Sequence, residues 1–160
     1  METTERIVEI LNDLIRINND RIEGYERAAS DIDSLQHAEI KSLFYKMSED
    51  SRTYKNDLVD AVLALGGEAA HDTTASGKIY RAWMKVKATF SGNDVKAALE
   101  SCEFGEDAAL KAYQDALQEE VEWPQNLASL ISNQRQELRS SHDRIKRYRD
   151  EFRAVDNLKT

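Results

Sequence analysis

Two glutamates, Glu103 and Glu106, have the type and spacing that could support chemistry inside a helical protein. Laid on a helix, their segment shows an apolar stripe made of Val95, Leu99, Cys102, Ala109, Tyr113 and Ala116. The position that completes this stripe is Glu106, and Glu103 lies one turn earlier on nearly the same face. A buried carboxylate is stable when it is paired, hydrogen bonded, protonated or bound to a metal ion. The sequence therefore predicts a carboxylate in the core and leaves these four states open.

His142 is the histidine that could join these acids. It flanks the apolar stripe of the last predicted helix, and counting back through the preceding turn places it level with Cys102 and Glu103. His142 and Glu103 could together ligate a metal ion. Alternatively, His142 could be half exposed and hydrogen bonded to Glu103. Glu23 flanks the stripe of the first predicted helix. The candidate metal ligands are therefore Glu23, Glu103, Glu106 and His142.

The elements that must position these residues are predicted to be helices. The chain has one proline, six glycines and many strong helix formers. Four long segments carry apolar residues with the helical period: Thr3 to Ile32, Ile40 to Leu65, the residues after Asn93 to about Gln118, and Leu127 to Val155. We predict an all-α protein with these segments as its four main helices.

A long connection separates the second main helix from the third. Its first part, residues 68–77, is small and polar and is typical of a loop, whereas Lys78 to Phe90 is predicted to be a short amphipathic helix with Trp83 on its apolar side. A connection of this length can cross the bundle from end to end, which would make the second and third main helices parallel. The basic residues of the short helix leave a membrane-surface or partner-binding helix as the alternative.

Composition excludes several classes of protein. The 22 Lys and Arg residues against 30 Asp and Glu residues give a net charge of -8, which disfavours nucleic acid as a partner. Cys102 is the single cysteine, so the chain has no internal disulfide, and its place on the apolar stripe indicates an inert core thiol. The acidic N-terminus has no signal-peptide pattern and no apolar run approaches the length of a membrane span, so we expect a cytoplasmic protein without integral membrane association.

Three motifs resemble those of an uncharacterised family of bacterial ferritin-like four-helix-bundle proteins. They are Glu23-Gly24-Tyr25, Tyr80-Arg81-Ala82-Trp83, and Cys102-Glu103-Phe104-Gly105-Glu106-Asp107. The resemblance covers nearly the whole chain. It implies a ferritin-like four-helix bundle with a long crossover carrying a short extra helix, formed by residues 1–160 as a single domain, and it implies no particular activity.

The wider ferritin-like superfamily suggests a pair of iron or manganese ions as a cofactor. Such a site takes a glutamate from each of two helices and a Glu-x-x-His motif from each of the other two. Glu106, with Glu23 or Glu26, could supply the lone glutamates. The two motifs are incomplete, because Glu49-x-x-Arg52 and Arg139-x-x-His142 each carry an arginine at a ligand position.

Arginine cannot bind a metal but can pair with a carboxylate. We therefore expect a metal-free polar core in which Glu106 is held by hydrogen bonds or by an arginine, with Arg52, Arg135 and Arg139 as candidates. The function expected is that of a non-catalytic structural or interaction protein, and whether it is an enzyme stays open. The alternative is a metal-binding or di-metal carboxylate redox protein with an incomplete ligand set, and a pocket for a small apolar molecule is a third possibility without a specific signal.

Self-association is the expected mode of interaction. Trp83 and Met84 lie on adjacent faces of the short helix, so one of them should remain outside the core. Exposed apolar side chains often mark interfaces. We predict a homodimer whose apolar interface includes part of this helix.

Overall fold

A computed structural model describes residues 2–32, 35–89 and 95–159, and those ranges contain five helices and no strand. The helices are α1 (Glu2–Asp31), α2 (Ala38–Ala64), α3 (Gly77–Thr89), α4 (Val95–Gln118) and α5 (Gln125–Lys159). The predicted all-α class is confirmed. The short crossover helix, α3, spans nearly the predicted residues, and its predicted last residue, Phe90, lies outside the described ranges.

Contacts between the long helices establish how they are connected. Arg6 near the start of α1 pairs with Glu119 just after α4, and Arg21 pairs with Glu106 in the middle of α4, so α1 and α4 are antiparallel. The turn after α1 is short and returns α2 antiparallel to α1. It follows that α2 and α4 are parallel, as the length of their connection predicts, and the fold is the ferritin-like bundle with one crossover.

The crossover follows α1 along the outside of the bundle. The Asn12 side chain donates to the carbonyl oxygen of Glu68 at 2.9 Å, and the Asp20 carboxylate accepts from the Thr74 hydroxyl at 2.6 Å. Residues 68–74 therefore advance alongside α1 in the same direction. This path carries the chain back toward the N-terminal end of α2, where α3 packs on α1 and α4.

Trp83 fastens α3 to the bundle. Its indole is fully buried and lies between Gly24 of α1 and Gly105 of α4. A Cβ atom at Gly24 would come within 2.6 Å of the indole Cε3, and one at Gly105 within 2.9 Å of Cε2. A glycine inside a helix costs about 1 kcal/mol relative to alanine, and here each glycine makes room for a tryptophan.

The interior has two apolar clusters, one toward each end of the bundle. One contains Tyr25, Phe44, Trp83 and Leu99, and the other contains Leu11, Leu58, Tyr113 and Ile131. Between them lies a layer of buried polar side chains that includes Arg21, Ser51 and Glu106. None of the described helices combines the length and the hydropathy needed to span a lipid bilayer.

Candidate functional site

Glu106 is fully buried in the middle of α4 and is held by two residues of α1. Arg21 Nη2 lies 2.6 Å from Glu106 Oε1, and Arg21 Nε donates to the same oxygen at 3.1 Å. The Tyr25 hydroxyl donates to it as well. The core carboxylate expected from the apolar stripe is therefore present, and an arginine and a tyrosine hold it.

The arginine is not one of the three candidates named from the sequence. Arg52 pairs with Glu26 at the surface, and Arg135 and Arg139 line an open surface groove. Helical counting placed those three on helices that face α4, but their long side chains extend outward, where water solvates the charge.

Arg21 was not predicted to be the partner of Glu106, although its position in the sequence indicates burial. It lies three residues after Asn18 and four before Tyr25, so it shares their side of α1. Arginine is rarely buried unless it is paired, and a single charged residue on an apolar stripe is normally assigned to its edge. Here Arg21 is fully buried because Glu106 lies opposite.

Two further sets of hydrogen bonds link polar side chains of the layer on the four long helices. Arg21 donates to Ser51 Oγ of α2. Asn18 donates to the Tyr113 hydroxyl at 2.8 Å, and Tyr113 donates to Gln134 Oε1 of α5 at 2.6 Å. These hydrogen bonds explain why the polar residues Asn18, Ser51 and Gln134 can lie on the buried faces of α1, α2 and α5.

Burial determines the protonation of the groups around Glu106. Desolvation, and then the neighbouring Glu106 charge, raise the pKa of Tyr25 well above its ordinary value, so its hydroxyl keeps the proton that it donates. The same two causes raise the pKa of Cys102, which is a neutral, buried thiol. Desolvation is the largest influence on the pKa of Arg21 and lowers it, but Glu106 and the neighbouring tyrosines together more than offset this, so the pKa is raised. Arg21 is therefore a guanidinium, and the thiol beside the pair is not reactive.

The polar layer does not fit a pair of metal ions. Such a centre takes carboxylates from four helices and histidines from two of them. Among the described residues that face the centre of this layer, the helices contribute Arg21, Ser51, Glu106 and Gln134, which include one carboxylate. The buried Asp20 carboxylate faces the crossover instead, where it accepts from Thr74. A guanidinium 2.6 Å from that carboxylate occupies the space and supplies the charge that a cation would bring.

A second cluster lies at the α4–α5 edge and contains two of the predicted ligands. His142 Nε2 lies 2.6 Å from Asp107 Oδ1 and 3.9 Å from Glu103 Oε1, and one ligand atom from each of the three residues lies within 4.8 Å of the others. His142 Nδ1 lies 3.1 Å from Asp143 Oδ1. Arg149 forms an ion pair with Glu103 from the same side. Asp107 was not among the predicted ligands, although it lies four residues after Glu103 and so on the same face of α4.

The four predicted ligands are thus distributed over three places. Glu103 and His142 lie together at the α4–α5 edge, as helical counting indicated, and each is largely buried. Glu106 is in the core with Arg21. Glu23 lies on the surface of α1, where it pairs with Lys87 of α3 at 2.8 Å. The structure does not bring Glu23 or Glu106 into the His142 cluster.

Comparisons with known proteins identify a family and a fold. A family model described as "Domain of unknown function (DUF2383)" matches residues 6–119. A solved structure from Bacillus anthracis str. Ames, described as ferritin-like, diiron-carboxylate proteins, has a TM-score of 0.62 and 15% identity, and the match covers 97% of this chain and 98% of that chain. No curated protein matches the chain. At this identity, the structural likeness shows the ferritin-like fold alone.

Proposed function

This chain belongs to the family described as "Domain of unknown function (DUF2383)", and we propose that it is a non-catalytic ferritin-like bundle that acts by self-association. The observation that carries the proposal is the Arg21–Glu106 pair in the core. The pair takes the position that a metal centre would need. The hydrogen bonds around it join the helices to one another, which gives the polar interior a structural role. The rest of the proposal is a single domain of residues 1–160, acting as a homodimer in the bacterial cytoplasm.

Exposed apolar side chains support an interaction role. Met84 of α3 is 46% exposed and Phe104 of α4 is 49% exposed, whereas the neighbouring Trp83 is fully buried. Large apolar side chains in contact with water are typical of surfaces that bind other proteins. This division between Trp83 and Met84 agrees with the prediction that one of the two stays outside the core.

Metal analysis tests the metal-free interior. Protein purified without chelator should contain no stoichiometric iron or manganese, and EDTA should leave its melting temperature unchanged. Stoichiometric metal, together with a chelator-dependent fall in melting temperature that one metal reverses, would overturn this part of the proposal if the metal lies in the core and not at the α4–α5 edge. Loss of that metal in Glu106→Gln but not in His142→Gln would place it in the core.

A second candidate function is the binding of one metal ion, such as iron or manganese, by Glu103, Asp107 and His142. The specific observation is that three ligand atoms of suitable type lie within 4.8 Å of one another. Asp143 lies beside His142 Nδ1, where its carboxylate can hydrogen bond to the imidazole ring and orient Nε2 toward a metal ion. Arg149 pairs with Glu103 Oε2, while Oε1 faces His142, so the positive charge beside the cluster lowers the expected affinity without blocking the ligand atom.

Calorimetric titration with Mn²⁺ and Fe²⁺ tests this second candidate. If it holds, one ion binds per chain, His142→Gln removes the binding, and Glu23→Gln, at the surface pair with Lys87, leaves it intact. Arg149→Met should tighten binding, because it removes a positive charge beside the Glu103 carboxylate. Absence of binding to both the parent and the Arg149→Met protein would exclude the site.

A further inference from the structure

An apolar groove lies between the beginning of α3 and the middle of α4. Its volume is about 340 Å³. The apolar lining consists of Ile79, Phe104, Ala108 and Ala112, and the charged residues are Lys78, Asp107, Lys111 and Asp115. Because two of the apolar residues are alanines, the groove has room beside the helix, while Phe104 projects from the same face with half of its surface exposed.

The charges of this groove differ from those of the whole chain. The chain carries a net charge of -8, so two copies repel each other on average. The groove has two lysines and two aspartates, and Lys111 and Asp115 pair with each other at 3.4 Å. The lining of this groove therefore has no net charge, so a second copy of the acidic chain meets less local repulsion here than the charge of the whole chain would produce.

We propose that this groove is the two-fold interface of the homodimer, with Phe104 of each copy inserted beside Ala108 and Ala112 of the other. The inference rests on the self-association given above as the function, and it names the surface used. A two-fold interface uses the same patch twice, so the patch must carry both a projection and a recess that receives it. A cavity of roughly 150 Å³ holds a benzene molecule, so a groove of about 340 Å³ accepts a phenyl ring.

The size of the apolar patch determines the affinity expected for dimerisation. Stable interfaces bury about 800 Å² per partner, and one groove with one aromatic anchor supplies the centre of such a surface and little of its rim. We expect dimerisation in the micromolar range, with Phe104 as the dominant anchor. The measurement must therefore cover low to high micromolar protein.

Sedimentation equilibrium of the full chain and of matched variants tests the interface. Phe104→Asp should weaken dimerisation at least tenfold, because it puts a charge into the apolar groove, and Ala112→Trp should do the same by filling it. Phe104→Leu should keep part of the affinity. The matched control is Leu63→Asp, since Leu63 on α2 is 58% exposed and lies outside the groove. It should dimerise like the parent.

The possible outcomes distinguish failure of the groove as the interface from failure of self-association as the function. A parent protein that stays monomeric at high micromolar concentration overturns both the interface and the self-association. A dimer that persists unchanged in folded Phe104→Asp or Ala112→Trp protein overturns the groove alone and leaves self-association standing. Circular dichroism identifies any variant that fails to fold, and the two groove variants act by different means, so the loss of one leaves the other to decide.

Discussion

Glu106 and Arg21 show how single residues set the character of the core. All the donors that reach Glu106, two from Arg21 and one from Tyr25, converge on Oε1. The two charges are fully buried, so each depends on the other for compensation. A buried ion pair of this kind contributes little net stability compared with apolar residues, but removing one partner is strongly destabilising.

The two single substitutions of the pair should differ in their dependence on pH. Glu106→Gln leaves the Arg21 guanidinium buried and unpaired, and since arginine does not lose its proton, we expect a loss of about 3–5 kcal/mol at all pH values. In Arg21→Met, Glu106 can instead take up a proton. The native state of this variant then binds one proton more than its unfolded state above about pH 4.3, so the free energy of unfolding of the variant should fall as the pH rises. Urea unfolding from pH 4 to pH 8 measures both effects, and equal pH profiles for the two variants would contradict this account.

The double variant Arg21→Met/Glu106→Leu is the control. Replacing both charges with apolar groups of similar size removes the need for compensation, so it should be more stable than either single variant and close to the parent. A double variant as unstable as the sum of the two single variants would show that the residues act independently.

The sequence predicted one partner of this pair and not the other. Glu106 was found because it completes an apolar stripe, and a carboxylate there requires a partner. Arg21 has the same relation to its own stripe, but a long flexible cation can reach water from many positions on a helix, so the spacing alone does not fix its burial. The three arginines chosen by counting failed for that reason. Helical register gives the level of a residue in the bundle and leaves the direction of a long side chain undetermined.

Among the elements, α3 is held by the fit of Trp83 between two helices. Gly24 and Gly105 come from α1 and α4, so the indole ties the crossover to both hairpins of the bundle. Trp83 also packs edge-on against Tyr25, with ring centroids 5.4 Å apart, and Tyr25 donates to Glu106. The crossover helix therefore contacts the tyrosine that holds Glu106, so the packing of Trp83 and the support of Glu106 are linked.

Gly105→Ala tests this fit. Alanine in the middle of a helix normally gains about 1 kcal/mol over glycine, but here its Cβ would lie 2.9 Å from the indole ring, so we expect a loss of about 1–3 kcal/mol. In a Trp83→Leu background the ring is gone, and the same substitution should become stabilising. Urea unfolding of the four proteins in this cycle gives the coupling energy. A Gly105→Ala change that stabilises the parent would show that the indole does not lie against Gly105.

The arrangement of the helices could be predicted more fully than the contact between Trp83 and Gly105. Apolar periodicity gave all five helices, and the length of the connection gave the parallel order of α2 and α4. The apolar side of α3 was also predicted, since Trp83 and Val86 are fully buried. The role of Gly105 was not predicted, because the residue that needs the space lies more than twenty positions away in the chain. Close approach between helices depends on tertiary packing, which a local pattern does not contain.

In the molecule as a whole, three buried tyrosines lie in or beside the polar layer. Tyr25 and Tyr113 are fully buried and Tyr54 is nearly so. Desolvation is the main cause that raises the pKa of each of them above the ordinary value of 10.0. Tyr113 donates to Gln134, whose side-chain amide in turn donates to the Tyr54 carbonyl oxygen at 3.1 Å. The bundle therefore keeps three phenols protonated in its interior, at the places where its four long helices are hydrogen bonded together.

This arrangement predicts cooperative loss of the fold at high pH. The pKa of each buried phenol is higher in the folded state than in the unfolded state, so the folded protein binds more protons above pH 10. The stability is fully present below pH 10 and falls as the pH rises further, by about 1.4 kcal/mol per pH unit for each group and about 4 kcal/mol per unit for the three. Tyrosinate absorbance followed together with circular dichroism should show these three phenols ionising in the same transition as the loss of helix. Tyr113→Phe should reduce the pH slope by about one proton, whereas Tyr45→Phe, at a side chain that is 46% exposed, should leave it unchanged. Ionisation of all the tyrosines before any helix is lost would show that water reaches the polar layer in the folded protein.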